Sequence, residues 1–278
     1  MKKVLLLGSS GKLGAAIGEI LSSDYEVVGV NSTNLDVCEN ARLDKLVWDT
    51  RPNLVINAVV KSGIDQCEED PHASLLVNSI LPKNLAILSS KYKFKLIHFS
   101  TDSVFDGRQT SSFYFEDDLA YPVNIYGATK LTGDSLVQAY CGDYYIFRVS
   151  GLFGRSRRVQ FVENMLERVR AGETRLVIAD DIVTTPTHSY DIARAVRNYI
   201  ADGLSPGLYH LANSGKASLF ELMQEITTGL NLDVHIEKAS HRDFPSIGLK
   251  NLHTPLASRY LDSLRPWQEA VAEYCQMV

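Results

Sequence analysis

The sequence predicts an α/β fold, a doubly wound parallel sheet followed by a smaller C-terminal α/β lobe. Two patterns carry this. Short Val-, Ile- and Leu-rich runs alternate with longer helical periodicities through the first half, as in βαβ units. A glycine-rich turn stands directly after the first of those runs. Size agrees, because 278 residues at 45% hydrophobic suffice for one large core or two unequal ones.

Strands are predicted at Val4–Leu7, Glu26–Val30, Leu54–Ala58, Lys95–Ser100 and Tyr144–Val149. Between the first two, Leu13, Ala16, Ile17, Ile20 and Leu21 follow the i, i+3, i+4, i+7, i+8 spacing of one helical face. A second helix is carried by Leu76, Val77, Ile80, Leu81, Leu85 and Leu88, and a third runs from Tyr126 to Tyr140. From about Gly151 the regularity weakens, with helices expected near Phe161–Ala171, Ser189–Ala201 and Leu219–Leu230. The predicted boundary therefore divides residues 1–152 from a lobe over 153–278, with elements from about 185–212 returning to the first sheet.

Composition excludes several classes. A net charge of -5 supplies no overall basic field for nucleic acid. Cys38, Cys67, Cys141 and Cys275 lie far apart with no C-x-x-C pair, against a zinc site or disulfide framework and in keeping with a reducing compartment. No His/Cys/Asp cluster has metal-ligand spacing, so Asp117-Asp118 and Asp180-Asp181 read as loop or capping carboxylates and no metal is expected. The apolar run Val4–Leu7 ends at Gly8, too short for a signal-peptide core, and no stretch approaches a membrane span. The expectation is a soluble, cytoplasmic chain with no membrane partner.

Gly8-Ser9-Ser10-Gly11-Lys12-Leu13-Gly14 opens the first helix. Glycines there allow a tight turn and close backbone approach, while a helix N-terminus offers N–H groups and a positive dipole end to a pyrophosphate. The spacing G-x-x-G-x-x-G, as the first βα turn of a parallel pattern, points to a Rossmann-type dinucleotide site for NAD or NADP. At the end of the second strand stand Asn31, Ser32 and Thr33, where a carboxylate on the ribose 2′-hydroxyl would mark an NAD enzyme. Nothing there repels a 2′-phosphate, and Lys12 is a candidate to bind one.

Tyr126-Gly127-Ala128-Thr129-Lys130 places a phenol and an ammonium on one helical face. A tyrosine works as a proton donor and acceptor near neutrality only when a cation stabilises its phenolate. Thr101, in Phe99-Ser100-Thr101-Asp102-Ser103 at a strand end, stands where ligands of open α/β sheets bind. It can hydrogen-bond a substrate carbonyl while Tyr126 gives that carbonyl a proton.

Together these stretches, with Asn57-Ala58, Val77-Asn78 and Thr185-Pro186-Thr187 before Asp191-Ile192-Ala193, resemble the extended short-chain dehydrogenase/reductases, and within them the dTDP-4-dehydrorhamnose reductases. The resemblance implies catalysis by Thr101, Tyr126 and Lys130, and a pyrophosphate held by Gly8, Ser10, Gly11, Lys12, Leu13 and Gly14. It also implies Asp36 and Val37 beside the adenine, and Ala58, Val59 and Val60 beside the nicotinamide. The implied reaction is NAD(P)H-dependent reduction of the 4-keto group of a nucleotide-activated 6-deoxyhexose in dTDP-L-rhamnose biosynthesis, and the implied assembly a homodimer.

The resemblance sets Lys61, Asp102, Ser103 and Gly151 on the substrate side, and the departures fall there too. Lys61 replaces an aromatic or His, Ser103 a Tyr, and Gly151 the Trp of Arg-Thr-Ser-Trp, while Gly248-Leu249 stands near the place of a late Arg-Pro. Arg155, Arg157 and Arg158 are candidates for a diphosphate or a solvated charge run. A related nucleotide-sugar epimerase or reductase would share these features. So would a non-catalytic regulatory subunit like that of methionine adenosyltransferase, against which the intact Thr101, Tyr126 and Lys130 argue.

Overall fold

The computed structural model describes residues 1–31, 39–110, 112–155 and 160–278. The candidates Ser32, Asp36, Val37, Arg157 and Arg158 lie outside the described residues. In chain order the first half comprises β1 (Lys3–Leu7), α1 (Lys12–Leu21), β2 (Glu26–Val30), α2 (Asn40–Thr50), β3 (Leu54–Asn57), α3 (Ile64–Glu69), α4 (Pro71–Leu75), α5 (Leu81–Tyr92), β4 (Lys95–Thr101), α6 (Ile125–Tyr140) and β5 (Tyr144–Val149). The second half runs β6 (Leu152–Phe153), α7 (Phe161–Arg170), β7 (Arg175–Ala179), β8 (Val183–Thr184), β9 (Thr187–His188), α8 (Ser189–Asp202), β10 (Gly207–His210), β11 (Asn213–Ser214), β12 (Ala217–Ser218), α9 (Leu219–Gly229), β13 (His235–Ala239), β14 (Leu264–Pro266) and α10 (Trp267–Met277). No described helix is long and apolar enough to cross a membrane.

Six strands pair in the order β2-β1-β3-β4-β5-β10, all parallel. The chain leaves β1 for β2 on one side and returns past it to β3 on the other, so the winding reverses between β1 and β3. Crevices of this kind, at the carboxyl ends of the strands, are where open α/β sheets bind ligands. β10 joins the edge with Gly207 opposite Tyr145 and His210 opposite Arg148.

Both faces of the sheet are covered, which is why its strands read as continuous apolar runs rather than alternations. Val4 and Leu6 of β1 face one core, shared with Ile17 of α1 and Ile192 and Val196 of α8. Leu5 and Leu7 face the other, shared with Val47 of α2, Leu85 of α5 and Val137 of α6. A third core lies in the second half, where Leu166, Ile178, Met223, Ile226 and Trp267 come together from α7, β7, α9 and α10.

The amphipathic pattern over 76–88 is not one regular helix. α4 passes through a π turn at Leu76–Ile80 into α5. Pro82 has no N–H to return to the Asn78 carbonyl a turn earlier, and α6 backs onto that freed carbonyl through Gly133, where a Cβ would sit 2.2 Å from it. α2 was not foreseen because only Leu43 and Val47 are buried on it, too thin a stripe to show as a period. α10 was not foreseen either, although Trp267, Ala270, Val271 and Tyr274 carry the i, i+3, i+4, i+7 spacing.

Trp267 is 6% exposed in the third core. Trp267→Ala is expected to lower stability by about 3–5 kcal/mol, measured by chemical denaturation.

Candidate active site

Gly8, directly after β1, has φ +82, a left-handed conformation that costs glycine little. Its N–H and that of Ser9 donate to the Val30 carbonyl at 2.8 and 3.1 Å. A Cβ at position 8 would lie 2.8 Å from the Ala58 backbone, and one at position 14 would lie 2.1 Å from the Gly8 carbonyl oxygen. The turn is thus pressed between the end of β3 and the first turn of α1, and side chains at these positions would lift it away. No side chain caps α1 at Gly11, so the helix presents its N-terminal N–H groups and dipole at the β1–β3 crevice. Leu13 and Gly14 are buried in α1 while Ser10 is exposed.

Ala58 extends the ladder by donating to the Leu7 carbonyl at 3.0 Å, and the Asn57 side chain accepts from the Val59 N–H at 3.2 Å. Val59 and Val60 follow at the strand end, Val60 exposed. Asn31 lies half-buried just beyond β2. Lys12 differs from expectation. Its side chain is buried and its ammonium lies 3.0 Å from Glu163 of α7 and 3.5 Å from the Leu152 carbonyl, tying the loop to the second half. Burial lowers its pKa and Glu163 pulls the other way.

β4 and α6 bring the three catalytic candidates together. Thr101 ends β4, and Tyr126 and Lys130 occupy successive turns at the start of α6. Burial pushes the Tyr126 phenol well above its ordinary pKa, a shift that the neighbouring Thr101 hydroxyl opposes and the nearby Asp102 reinforces. Lys130 is 2% exposed and donates to the Phe99 carbonyl at 2.5 Å. Burial holds its pKa down at about 8, against the pull of Asp134.

Asp102, expected on the substrate side, has both oxygens engaged. Oδ1 accepts from Thr101 at 3.0 Å, and Oδ2 accepts from Ser150 and Thr254 at 2.8 Å each. It braces Thr101 rather than presenting a free carboxylate to a sugar. Ser103 donates its N–H to Thr101 Oγ1 at 3.2 Å, and its carbonyl lies where a Cβ on Gly127 would be 2.1 Å away. Gly151, at φ +52, allows β8 to cross, since a Cβ there would be 2.7 Å from Thr184 Oγ1. Lys61 is fixed through its backbone, its N–H and carbonyl each 3.0 Å from the side-chain amide of Asn78 in the π turn.

Beneath Lys130 lies a buried polar cluster that was not singled out in the sequence. Asp134, one turn further along α6, is 3.2 Å from Arg148 Nε, accepts from Ser100 at 2.9 Å and is 3.9 Å from His98 Nε2. Burial raises the Asp134 carboxyl's pKa, opposed first by Arg148 and then by Lys130. The one available sequence signal was its i+4 spacing from Lys130. Elsewhere among the described residues, His188, Asp191 and Glu273 bring potential metal-ligand atoms within 4.8 Å of one another. Both carboxylates are already paired with Arg194 and Arg265, whose positive charges oppose a cation.

A tyrosine and a buried lysine on successive turns of one helix, set beside a strand-end threonine and on the same side of the sheet as the glycine turn, form an arrangement suited to moving a proton while hydride passes. That makes the protein an oxidoreductase of the extended short-chain dehydrogenase/reductase class. Within that class the chain belongs to the RmlD substrate binding domain family, which matches it over residues 1–278. It is 30% identical over 281 residues to the spore coat polysaccharide biosynthesis protein SpsK of Bacillus subtilis, covering 99% of this chain and 98% of that one. Among solved structures it is similar to the dTDP-4-dehydrorhamnose reductase of Clostridium acetobutylicum, at 30% identity and TM-score 0.93 over 99% of each chain. It is also similar to that of Bacillus anthracis in complex with NADP, at 26% identity and TM-score 0.93 over 100% of each chain.

Asp134→Asn leaves the buried Arg148 without its counter-charge. The expected cost is about 3–5 kcal/mol of stability, measured by denaturant titration at neutral pH.

Proposed function

We propose that this chain reduces the 4-keto group of a dTDP-activated 6-deoxyhexose with NADPH, as a step in making dTDP-L-rhamnose. The observation that carries the reading is the meeting of the end of β4 at Thr101 with the first turns of α6, packed so closely that a Cβ on Gly127 would lie 2.1 Å from the Ser103 carbonyl, which sets Tyr126 and the buried Lys130 at the strand ends that adjoin the glycine turn. The residues fit the cofactor, because the cradle at Gly8 and Gly14 is one that side chains would fill and the uncapped start of α1 suits a pyrophosphate. When bound, the nicotinamide supplies the hydride.

The chain's own residues do the rest. Burial keeps Tyr126 protonated at neutral pH, the state an acid must start from. Thr101 turns its one hydroxyl proton from Asp102 to the substrate oxygen, and Tyr126 delivers its own proton as negative charge builds there. The phenolate left behind is stabilised by the Lys130 ammonium, whose attraction is strengthened by the low dielectric around it. Lys61, Ser103 and Gly151 border the sugar side in this reading, with Asp102 acting through Thr101.

Tyr126→Phe keeps the ring and removes the proton donor, so single-turnover reduction of dTDP-4-dehydrorhamnose should fall by about 10²–10⁴. NADPH affinity, measured by titration, should hardly change. Wild-type turnover in this variant overturns the mechanism, and a wild type that binds NADPH yet reduces no 4-keto sugar nucleotide overturns the function.

Reduction also needs Lys130 charged. Its pKa of about 8 lies below the unfolded value, so charge is lost as pH rises through about 8. The pH profile of kcat/KM should show an alkaline limb with its midpoint there. Over the interval above that midpoint the unfolded chain binds the extra proton, so the same group's contribution to stability rises as activity falls.

A further inference from the structure

Outside the catalytic set, two buried asparagines join segments far apart in the chain. Asn124 is the N-cap of α6, its Oδ1 accepting from the Gly127 N–H at 2.8 Å. Its Nδ2 donates to the Leu249 carbonyl at 2.8 Å and to Asn251 Oδ1 at 2.9 Å. Asn251 in turn donates to the Phe105 carbonyl and, at 3.5 Å, to that of Ser103. A continuous run of hydrogen bonds therefore leads from the turn after Thr101, through two side-chain amides, to the first turn of the helix that carries Tyr126.

The segment bearing Asn251 is itself fastened. Asp65 of α3 accepts from Ser246 Oγ at 2.8 Å and from the N–H groups of Ile247 and Gly248 at 2.9 and 3.2 Å. Further on, Thr254 donates to Asp102, and Leu252 passes so close to Gly107 that a Cβ there would lie 2.8 Å from its amide nitrogen. This strap from the second half lies across both catalytic elements and meets them through donors and acceptors, with Leu256 packed beside Val104 and Phe105 just beyond.

We infer that Asn251, acting through Asn124, is a positioning residue that sets Tyr126 against Thr101. The inference rests on the reading of Tyr126 as the proton donor. Each link has a direction: Asn251 must donate to two carbonyls and accept from Asn124, while Asn124 must donate to the strap and accept from the helix. Each donates twice and accepts once, and among short side chains only an amide offers two donors beside an acceptor. A carboxylate at position 124 would keep the helix cap, yet would set its second oxygen against the Leu249 carbonyl and Asn251 Oδ1. A misplacement of about 1 Å between reacting groups costs up to about 100-fold in rate, so a brace of this kind acts on turnover more than on binding.

The experiment compares Asn124→Asp with wild type in the full chain, each with and without Tyr126→Phe, reading kcat, KM and NADPH affinity. Asn124→Ser serves as a second variant, since it also keeps a capping oxygen but has no separate amide group to bridge Leu249 and Asn251. The clamp variants should lose about 10- to 100-fold in kcat with NADPH affinity unchanged. In the Tyr126→Phe background they should cost almost nothing more, because positioning a ring that gives no proton has no effect on rate. Wild-type kcat in both clamp variants overturns the inference, and so does the same fold-loss in the Tyr126→Phe background, which marks a general structural role. Those outcomes leave the proton-donor reading standing, provided that Tyr126→Phe alone is impaired; wild-type turnover in Tyr126→Phe overturns both.

Discussion

The structure turns on one buried charge. Lys130 is almost fully enclosed, and taking an ammonium out of water costs several kcal/mol unless it is compensated. Compensation comes from the Phe99 carbonyl and from Asp134, which is held in its turn by Arg148 and Ser100. These partners sit on β4, β5 and α6, so the register of the sheet and the seat of the helix are also the conditions under which Lys130 keeps its proton. The compensation is incomplete, and its pKa falls to about 8. A lysine near that value keeps its charge at neutral pH in a site dry enough for the charge to matter.

Tyr126 is half-buried, and burial acts on it with the opposite consequence. Burial makes its phenolate unfavourable, which keeps the proton in place. Burial thus keeps the Tyr126 phenol protonated while it leaves little water to screen the Lys130 ammonium. Thr101 belongs to this arrangement through Asp102, whose carboxylate also draws in Ser150 and Thr254. The second half of the chain therefore reaches the end of β4 through Thr254, so it is more than a separate cover over the first sheet.

Lys12 and Asn78 show the same integration at other points. Lys12 opens the helix behind the glycine turn, yet its ammonium is spent on Glu163 of α7. Asn78 lies in a π turn and fixes the backbone of Lys61 on the far side of the crevice. Departures from regular helix often accompany functional sites, and here the departure frees a carbonyl for α6 to pack on and aims an amide at the strand end.

What the sequence determined alone is whatever depends on near neighbours in the chain. The βαβ alternation, the glycine turn, the four-residue spacing of Tyr126 and Lys130 and the hydroxyl at the end of β4 are all local patterns. Local sterics, helical geometry and burial on both faces of a sheet give such patterns a fixed meaning. Tertiary structure decided where polar atoms spend their hydrogen bonds. Lys12 faces Glu163, Asp102 serves Thr101 instead of a free pocket, Asp134 answers Lys130 and Arg148, and Asn251 meets Asn124 across more than a hundred residues of chain. No period or spacing records such partners, because each pairing exists only once the chain has closed and removed the water that would otherwise satisfy both groups.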